Sequence, residues 1–232
     1  MKKLNLIIAL TIIACSCNDI KKNSDYVNTF IGTGGHGHTY PGASLPFGMM
    51  QLSPDTRLEG WDGCGGYHFS DSIIYGFSHT HLSGTGISDY GDVLLMPTRG
   101  EIQLTNGVKE SLTSKKTINQ LGYGSKFSHS NETSSPGYYQ VFLEDYNINV
   151  ELTTSIRSGI HKYTFNSKDS ANLILDLKHR DKLLNYKINI IDSLTISGFR
   201  YSSEWAREQR IHFIIKLSHP FKKYILNDEE NI

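Results

Sequence analysis

The stretch GWDGCGGYHFSDSIIYGFSHTHLSGTG, from Gly60 to Gly86, distinguishes this chain from an ordinary strand-rich sequence. It lies in a longer region, from Gly32 to Gly91, that holds fourteen of the 21 glycines and five of the ten histidines. Glycine at this density lets the backbone turn where side chains would clash, and it lets a ligand approach the main chain. Loops that also carry aromatic, imidazole and carboxylate groups are typical of a polar ligand site. We therefore predict that this region forms the functional loops.

The rest of the chain consists of short apolar runs separated by turn formers. Apolar and polar residues alternate in Tyr139–Leu143 and Ile148–Leu152, as expected of half-buried strands. The run Val93–Met96 is closed by Pro97. Further strand-like runs lie at 173–177, 194–198 and 212–217. Only Ser203–Arg210 indicates a helical turn, although part of it could equally be strand. Many short strands without a long helix predict an all-β chain, an antiparallel β-sandwich with glycine-rich loops and little helix.

Composition restricts the classes of partner and the use of cysteine. The 23 basic residues are balanced by 23 acidic ones, and binding to nucleic acid requires a basic face, so we predict no nucleic-acid partner. A length of 232 residues can hold one large β domain or two small ones and is enough for a sizeable core. No base adjacent in the sequence accompanies Cys64, which favours a small buried packing residue over a nucleophile.

Trp61 stands on a predicted turn, between Gly60 and the pair Asp62-Gly63. A tryptophan beside a carboxylate and a glycine backbone suits a sugar, because its ring can cover the apolar C–H face while Asp62 and His68 bind hydroxyl groups. The alternative is a loop tryptophan that packs into its own core. The residues alone leave both interpretations open.

Two His-x-His pairs, His36/His38 and His79/His81, flank this turn in the sequence. Such spacing puts two imidazoles on one face of a strand, as in many zinc sites. Three aspartates could complete a site of this kind, namely Asp62, Asp89 and Asp92. The other interpretation is that these histidines form hydrogen bonds that pin the glycine-rich loops. Because the spacing is short and common, we predict no metal ligand in this chain.

The first residues have the features of an export signal. Lys2 and Lys3 precede an apolar run that is too short to span a membrane, and the run ends in Ile12-Ile13-Ala14-Cys15, which resembles a bacterial lipoprotein cleavage box. We predict a signal peptide at 1–14, acylation of Cys15 and a polar tether at 15–24. Two or more acyl chains anchor a protein firmly, so the predicted location is the bacterial cell envelope, at the outer membrane or cell surface. The alternative is a soluble secreted product cut near Ser16.

The segment GTGGHGHTYPGASLPFGMMQLSPDT (Gly32–Thr56), followed by GWDGCGGYHFSD and GFSHTHLSGTG, resembles the N-terminal signature of glycoside hydrolase family 92. This family comprises calcium-dependent exo-α-mannosidases. The resemblance implies that residues 25–232 form the family's N-terminal domain, a supersandwich of the galactose-mutarotase-like type. It also implies that Trp61 reaches a mannose-binding cleft. The site-facing residues expected with it are Arg57, Asp62, His68, His79 and His81.

In the resembled family the acid–base pair of an inverting reaction and the calcium ligands lie in a helical-barrel domain. We therefore assign no catalytic residue here, and we expect calcium to be held outside this chain. The expected partners are a mannose-containing glycan, the barrel domain and, through the lipid, a membrane. Lys222–Ile232 drifts into a polar tail without a closing strand, which leads us to expect a truncated and inactive α-mannosidase. The alternative function is a stand-alone, non-catalytic glycan-binding surface lipoprotein.

The predicted anchor is tested by Cys15→Ala. We expect this variant to lose palmitate labelling and to leave the membrane fraction, because the acylated side chain is gone. Cys17→Ala, two residues further on in the tether, is the matched control and should remain in the membrane fraction. Labelled Cys15→Ala protein that still sediments with membranes would exclude a lipid on this residue.

Overall fold

The computed structural model describes residues 21–106, 122–166 and 170–227. Its strands are β1 Ala43–Ser44, β2 Gln51–Asp55, β3 Ile73–Ile74, β4 Gly76–Ser78, β5 Leu94–Arg99, β6 Ser125–Lys126, β7 Glu132–Ser135, β8 Tyr138–Leu143, β9 Ile148–Thr154, β10 Gly159–Phe165, β11 Ala171–Asp176, β12 Lys182–Asp192, β13 Thr195–Ser203 and β14 Gln209–Lys216. Short 3-10 helices lie at Asn23–Tyr26, Trp61–Gly63 and His129–Asn131. Within these ranges there is no α-helix, and no helix is long and apolar enough to cross a membrane. The predicted signal peptide, Cys15, the first part of the tether and the end of the polar tail lie outside the described residues.

The strands form four antiparallel sheets. One has five strands in the order β1-β2-β4-β5-β11, and a second has four in the order β10-β9-β8-β7. A three-stranded sheet, β12-β13-β14, and a two-stranded pair, β3-β6, complete the set. Strands β7 to β10 follow one another as hairpins, in which each strand pairs with the next in sequence. The prediction of an all-β, antiparallel sandwich is therefore confirmed.

The main core lies between the five-stranded and four-stranded sheets. Every second residue is buried from Tyr139 to Leu143 in β8 and from Ile148 to Leu152 in β9, which confirms the two strands predicted from alternation. The opposite sheet contributes residues of β2, β4 and β5 to the same cluster. The buried side chains that form this core include Leu52, Phe77, Leu94, Met96, Tyr139, Val141, Leu143, Ile148, Val150 and Leu152. Apolar burial of this kind supplies about 25 cal/mol per Å², the largest favourable contribution to folding.

Two local predictions from the sequence are wrong. Pro97 does not close its strand, because β5 continues to Arg99 and Pro97 pairs with Leu173 of β11. On its other side β5 meets β4 only at the Phe77–Leu95 pair, and proline is tolerated where a strand is unpaired on one side. The segment after Ser203 forms no helical turn, since residues 204–208 are the loop between β13 and β14.

The three-stranded sheet is fastened to the glycine-rich region through Arg200 of β13. Only 1% of this side chain is exposed, and it donates to Asp92 Oδ1 at 2.5 Å and to Asp181 Oδ1 at 2.5 Å. Its Nε donates to the carbonyl of Leu177 at 2.8 Å. Burial acts to lower the pKa of Arg200, but the two carboxylates outweigh it and raise the pKa above its usual value. A buried charge of this kind is stable only while its partners remain.

We expect Arg200→Ala to destabilise the domain by about 3–5 kcal/mol, because Asp92 would be left buried without its cation. The matched control is Arg210→Ala on the neighbouring strand. Arg210 pairs with Glu208 at the surface, where solvent screens the ion pair and its contribution to stability is small. Urea unfolding of both variants measures the difference, and equal losses of stability would refute the structural role of the buried pair.

Candidate functional site

The glycine-rich region presents Trp61 to solvent. Residues Trp61–Gly63 form a single 3-10 turn, and Gly60 precedes it with φ 82°, a left-handed conformation that favours glycine. Trp61 is 63% exposed. A core tryptophan would be buried, so the structure contradicts the alternative in which Trp61 packs into its own core, and sugar binding by Trp61 stays a prediction.

The exposed ring nevertheless rests on a defined surface. A Cβ added at Gly86 would lie 2.2 Å from Trp61 Cζ3, so the ring lies directly against the Gly86 backbone. The ring of His38 meets it edge-on, with centroids 5.2 Å apart. The backbone at Gly86 therefore supports the ring from one side, and only glycine leaves room for the indole at this position. The result is an aromatic surface that is both accessible and supported.

Asp62, next to Trp61, ties two glycine-rich loops together. Its Oδ1 lies 2.7 Å from His36 Nδ1 and 3.2 Å from His38 Nε2. The hydrogen bond with His36, and then the one with His38, holds the pKa of Asp62 below its usual value. Asp62 is consequently an anion at neutral pH and accepts hydrogen bonds from imidazole N–H groups.

Arg180 fixes the Trp61 turn through hydrogen bonds to backbone carbonyl groups. Its Nη2 donates to the carbonyls of Gly63 and Cys64, the second at 3.0 Å, and to Ser88 Oγ at 2.7 Å. Arg180 is 4% exposed, and burial lowers its pKa from the usual value. Its guanidinium thus fixes the backbone just after Trp61 and connects it to the loop that contains Ser88. Cys64 itself is a free cysteine and is buried, as predicted; its thiol donates to the carbonyl of Thr85, and burial raises the pKa of this thiol.

A buried carboxylate lies beneath these loops. Asp55 Oδ1 accepts from His81 Nε2 at 2.9 Å, and Oδ2 accepts from His179 Nε2 at 2.9 Å. Burial acts to raise the pKa of Asp55, but the charge and hydrogen bonds of His81 and His179 outweigh it, and the pKa lies well below its usual range. The second ring nitrogen of His81 bonds to the carbonyl of Gln51 at 2.8 Å. Both nitrogens of His81 are therefore used inside the domain.

His79 belongs to a second internal chain of hydrogen bonds. Its Nδ1 bonds to the carbonyl of Val93 at 2.6 Å, and its Nε2 lies 2.9 Å from Nε2 of His161, whose Nδ1 contacts Tyr163 Oη at 2.8 Å. Burial lowers the pKa of His79 to about 4 and that of His161 well below its usual value. Both rings are neutral at pH 7. Hydrogen bonding inside the domain is therefore the arrangement that the structure favours for His79.

The structure distributes the six predicted sugar-binding residues unevenly. Trp61 and Asp62 stand together at the surface. Arg57 is partly exposed but forms an ion pair with Asp71 at 2.5 Å. His68 is nearly buried, and its ring nitrogens bond to Ser70 Oγ and to the carbonyl of Gly35. The contacts of His68, His79 and His81 favour the alternative, in which histidines pin the loops, and direct sugar contact by these three remains a prediction.

Sequence reasoning missed three residues that shape this region, namely Gly86, His179 and Arg180. Gly86 is one of many glycines, and nothing in the sequence shows that its neighbour is an indole ring. His179 and Arg180 follow β11 within the polar run Lys178–Asp181, which normally indicates a solvated turn. Their burial becomes evident only when residues more than a hundred positions apart are brought together.

The donor atoms of this region do not suit calcium. Calcium takes six to eight oxygen ligands. Among the residues that the structure describes, the side-chain group with three ligating atoms within 4.8 Å is His36, His38 and Asp62, with two nitrogens and one oxygen.

The chain is similar to glycoside hydrolases in both sequence and structure. The profile of the Glycosyl hydrolase family 92 N-terminal domain matches residues 26–232. An uncharacterized secreted glycosidase of Arthroderma benhamiae is 30% identical over 141 residues, or 60% of this chain and 17% of that protein. The structure of the family GH92 alpha-mannosidase BT3965 of Bacteroides thetaiotaomicron is 38% identical with a TM-score of 0.80, covering 88% of this chain and 27% of that one. The GH92 inverting mannosidase BT2199 of the same species is 25% identical with a TM-score of 0.62, over 79% and 24%. The chain thus spans between 17% and 27% of the length of these relatives.

The contact between the Trp61 ring and the Gly86 backbone is tested by Gly86→Ala. We expect the new methyl group to displace the indole ring, which changes the near-UV circular dichroism and the tryptophan emission. The melting temperature should fall little, because the displaced ring can rotate into solvent. In a Trp61→Ala background the same glycine substitution should be spectroscopically silent, which makes that pair the control. Spectra of Gly86→Ala identical to those of the parent would mean that the ring does not rest there.

Proposed function

The chain belongs to glycosyl hydrolase family 92, and we propose from that premise that it is the N-terminal, sugar-binding β-sandwich domain of an exported, inverting α-mannosidase. The observation that carries the proposal is the supported but exposed ring of Trp61. An aromatic ring of this kind covers the apolar face of a pyranose, and neighbouring polar groups bind its hydroxyls. The proposed ligand is a mannose-containing glycan.

In this proposal the chain binds and orients the sugar and does not supply the acid and base. An inverting glycosidase needs two carboxyl groups about 6.5–9.5 Å apart, one of them free to activate water. The aspartates of the glycine-rich region already bond to other residues of the domain. Asp55 binds two histidines, Asp62 binds two more, and Asp71 pairs with Arg57. Asp89 and Asp92 accept hydrogen bonds from the three-stranded sheet and its loop. The acid–base pair, and the calcium that would bind the mannose, are proposed to come from a helical-barrel domain.

Export is supported by the relative from Arthroderma benhamiae, which is described as secreted. We propose that the protein is exported in the same way and is held at the cell envelope by a lipid on Cys15. In that location the sugar-binding loops would meet glycans outside the cell.

The decisive variant is Trp61→Ala in an active protein formed by joining this domain to a family 92 catalytic barrel. Truncation of a binding-site tryptophan costs about 2 kcal/mol or more, so we expect kcat/KM on an α-mannobioside to fall by roughly thirtyfold or more. Trp205→Ala is the matched control, because Trp205 is 64% exposed and lies on the loop between β13 and β14. Both substitutions should leave the melting temperature nearly unchanged.

The proposal fails if Trp61→Ala lowers the melting temperature sharply while turnover per folded molecule is maintained. Such a result would make Trp61 a packing residue. Mannose release by the chain without a barrel would equally contradict the proposed division of labour, since the described carboxylates would then have to supply the chemistry.

A further inference from the structure

We propose that His36, His38 and Asp62 form a binding site for one divalent cation of the zinc class, with one coordination position left open. The inference goes beyond the proposed function and does not depend on it, because it rests only on the geometry of these three side chains. Their ligating atoms lie within 4.8 Å of one another. The sequence predicted no metal ligand here because the His-x-His spacing is short and common, although Asp62 was one of three aspartates that could complete such a site.

The distances are close to those that a zinc ion requires. Zinc bonds to imidazole nitrogen and carboxylate oxygen at about 2.0–2.2 Å, so tetrahedral donor atoms lie about 3.3–3.6 Å apart. Asp62 Oδ1 is 3.2 Å from His38 Nε2, which already falls near this range, and 2.7 Å from His36 Nδ1. A small outward rotation of His36 gives the required separation. Its side chain is 79% exposed and has room to move.

The donor set selects the class of ion. Two imidazoles and one carboxylate suit zinc and neighbouring transition metals, whereas calcium and magnesium prefer oxygen donors alone. Three protein ligands leave a fourth tetrahedral position for water or another small ligand.

The backbone brings the three ligands together before any ion arrives. His38 has φ 55°, a left-handed conformation that non-glycine residues adopt rarely and that must be held by the surrounding contacts. The loop that carries it is closed by hydrogen bonds from Gly37 N to Gly34 O and from Thr39 N to Gly32 O. A Cβ at Gly37 would lie 2.2 Å from the Gly32 carbonyl oxygen, so the loop tolerates no larger residue there.

The Asp62 side of the site is equally fixed. Arg180 binds the carbonyls of Gly63 and Cys64, immediately after Asp62. The ring of His38 also packs against the edge of Trp61, with centroids 5.2 Å apart. The two loops therefore keep their ligands in place, and a bound ion would lie next to the exposed indole.

The test uses the full chain, freed of metal by chelation and then titrated with cobalt(II) and zinc(II) separately. We expect one equivalent of cobalt to produce the visible absorption of a four-coordinate site, and zinc to displace it. Millimolar calcium should leave the signal unchanged. Uptake well below one equivalent, or displacement of cobalt by calcium, would overturn the proposal.

Two variants separate metal binding from simple loop pinning. Asp62→Asn retains an oxygen that accepts from both imidazoles but loses the charge, so we expect at least a tenfold loss of zinc affinity with an unchanged melting temperature. His36→Ala removes an exposed ligand and should lower the affinity similarly without unfolding the chain. His219→Ala, which removes an exposed histidine elsewhere, is the control and should bind zinc normally. Affinity that survives both Asp62→Asn and His36→Ala would assign the ion to another site and refute this one.

Discussion

A buried guanidinium group needs an acceptor for its N–H groups, and this requirement connects the β-sandwich to its glycine-rich loops. Arg180 and Arg200 are 4% and 1% exposed, and neither can turn to water. Arg200 meets the requirement with two carboxylates and thereby joins the three-stranded sheet to Asp92. Arg180 instead uses backbone carbonyls of the Trp61 turn. Since unpaired buried charge is costly, the loops cannot change shape without exposing or stranding one of these cations.

The need to order the loops also explains why so many histidines of the glycine-rich region form hydrogen bonds inside the domain. Loops rich in glycine lose much conformational entropy on folding and contribute little apolar area, so they need other fastenings. Imidazole serves well because each of its two ring nitrogens can bond a partner, as in His81, whose nitrogens bond to the carbonyl of Gln51 and to Asp55 Oδ1. The loops can therefore be ordered without a hydrophobic core of their own, and Trp61 stays at the surface.

The sequence predicted those parts of the fold that depend on neighbouring residues. Alternation identified β8 and β9, because each is half-buried and its pattern is local. It did not identify β12, where Leu184 and Ile191 are exposed and break the alternation. In the candidate site, the turn around Trp61 was predictable from its glycines. The roles of Gly86 and Arg180 were not, because each depends on which distant segment packs against it, and the sequence could not show which of three aspartates lies beside His36 and His38.

The contacts that stabilise the glycine-rich loops join residues far apart in the sequence, and this affects the order of folding. Arg180 is 117 residues from Gly63, His179 is 124 from Asp55, and Arg200 is 108 from Asp92. Contacts with this separation form slowly, because the entropy of closing the intervening chain is lost first. During synthesis the glycine-rich loops emerge well before the residues that fasten them. The loops lack these contacts until β11 to β13 have been made, so we expect the surface around Trp61 to form near the end of folding.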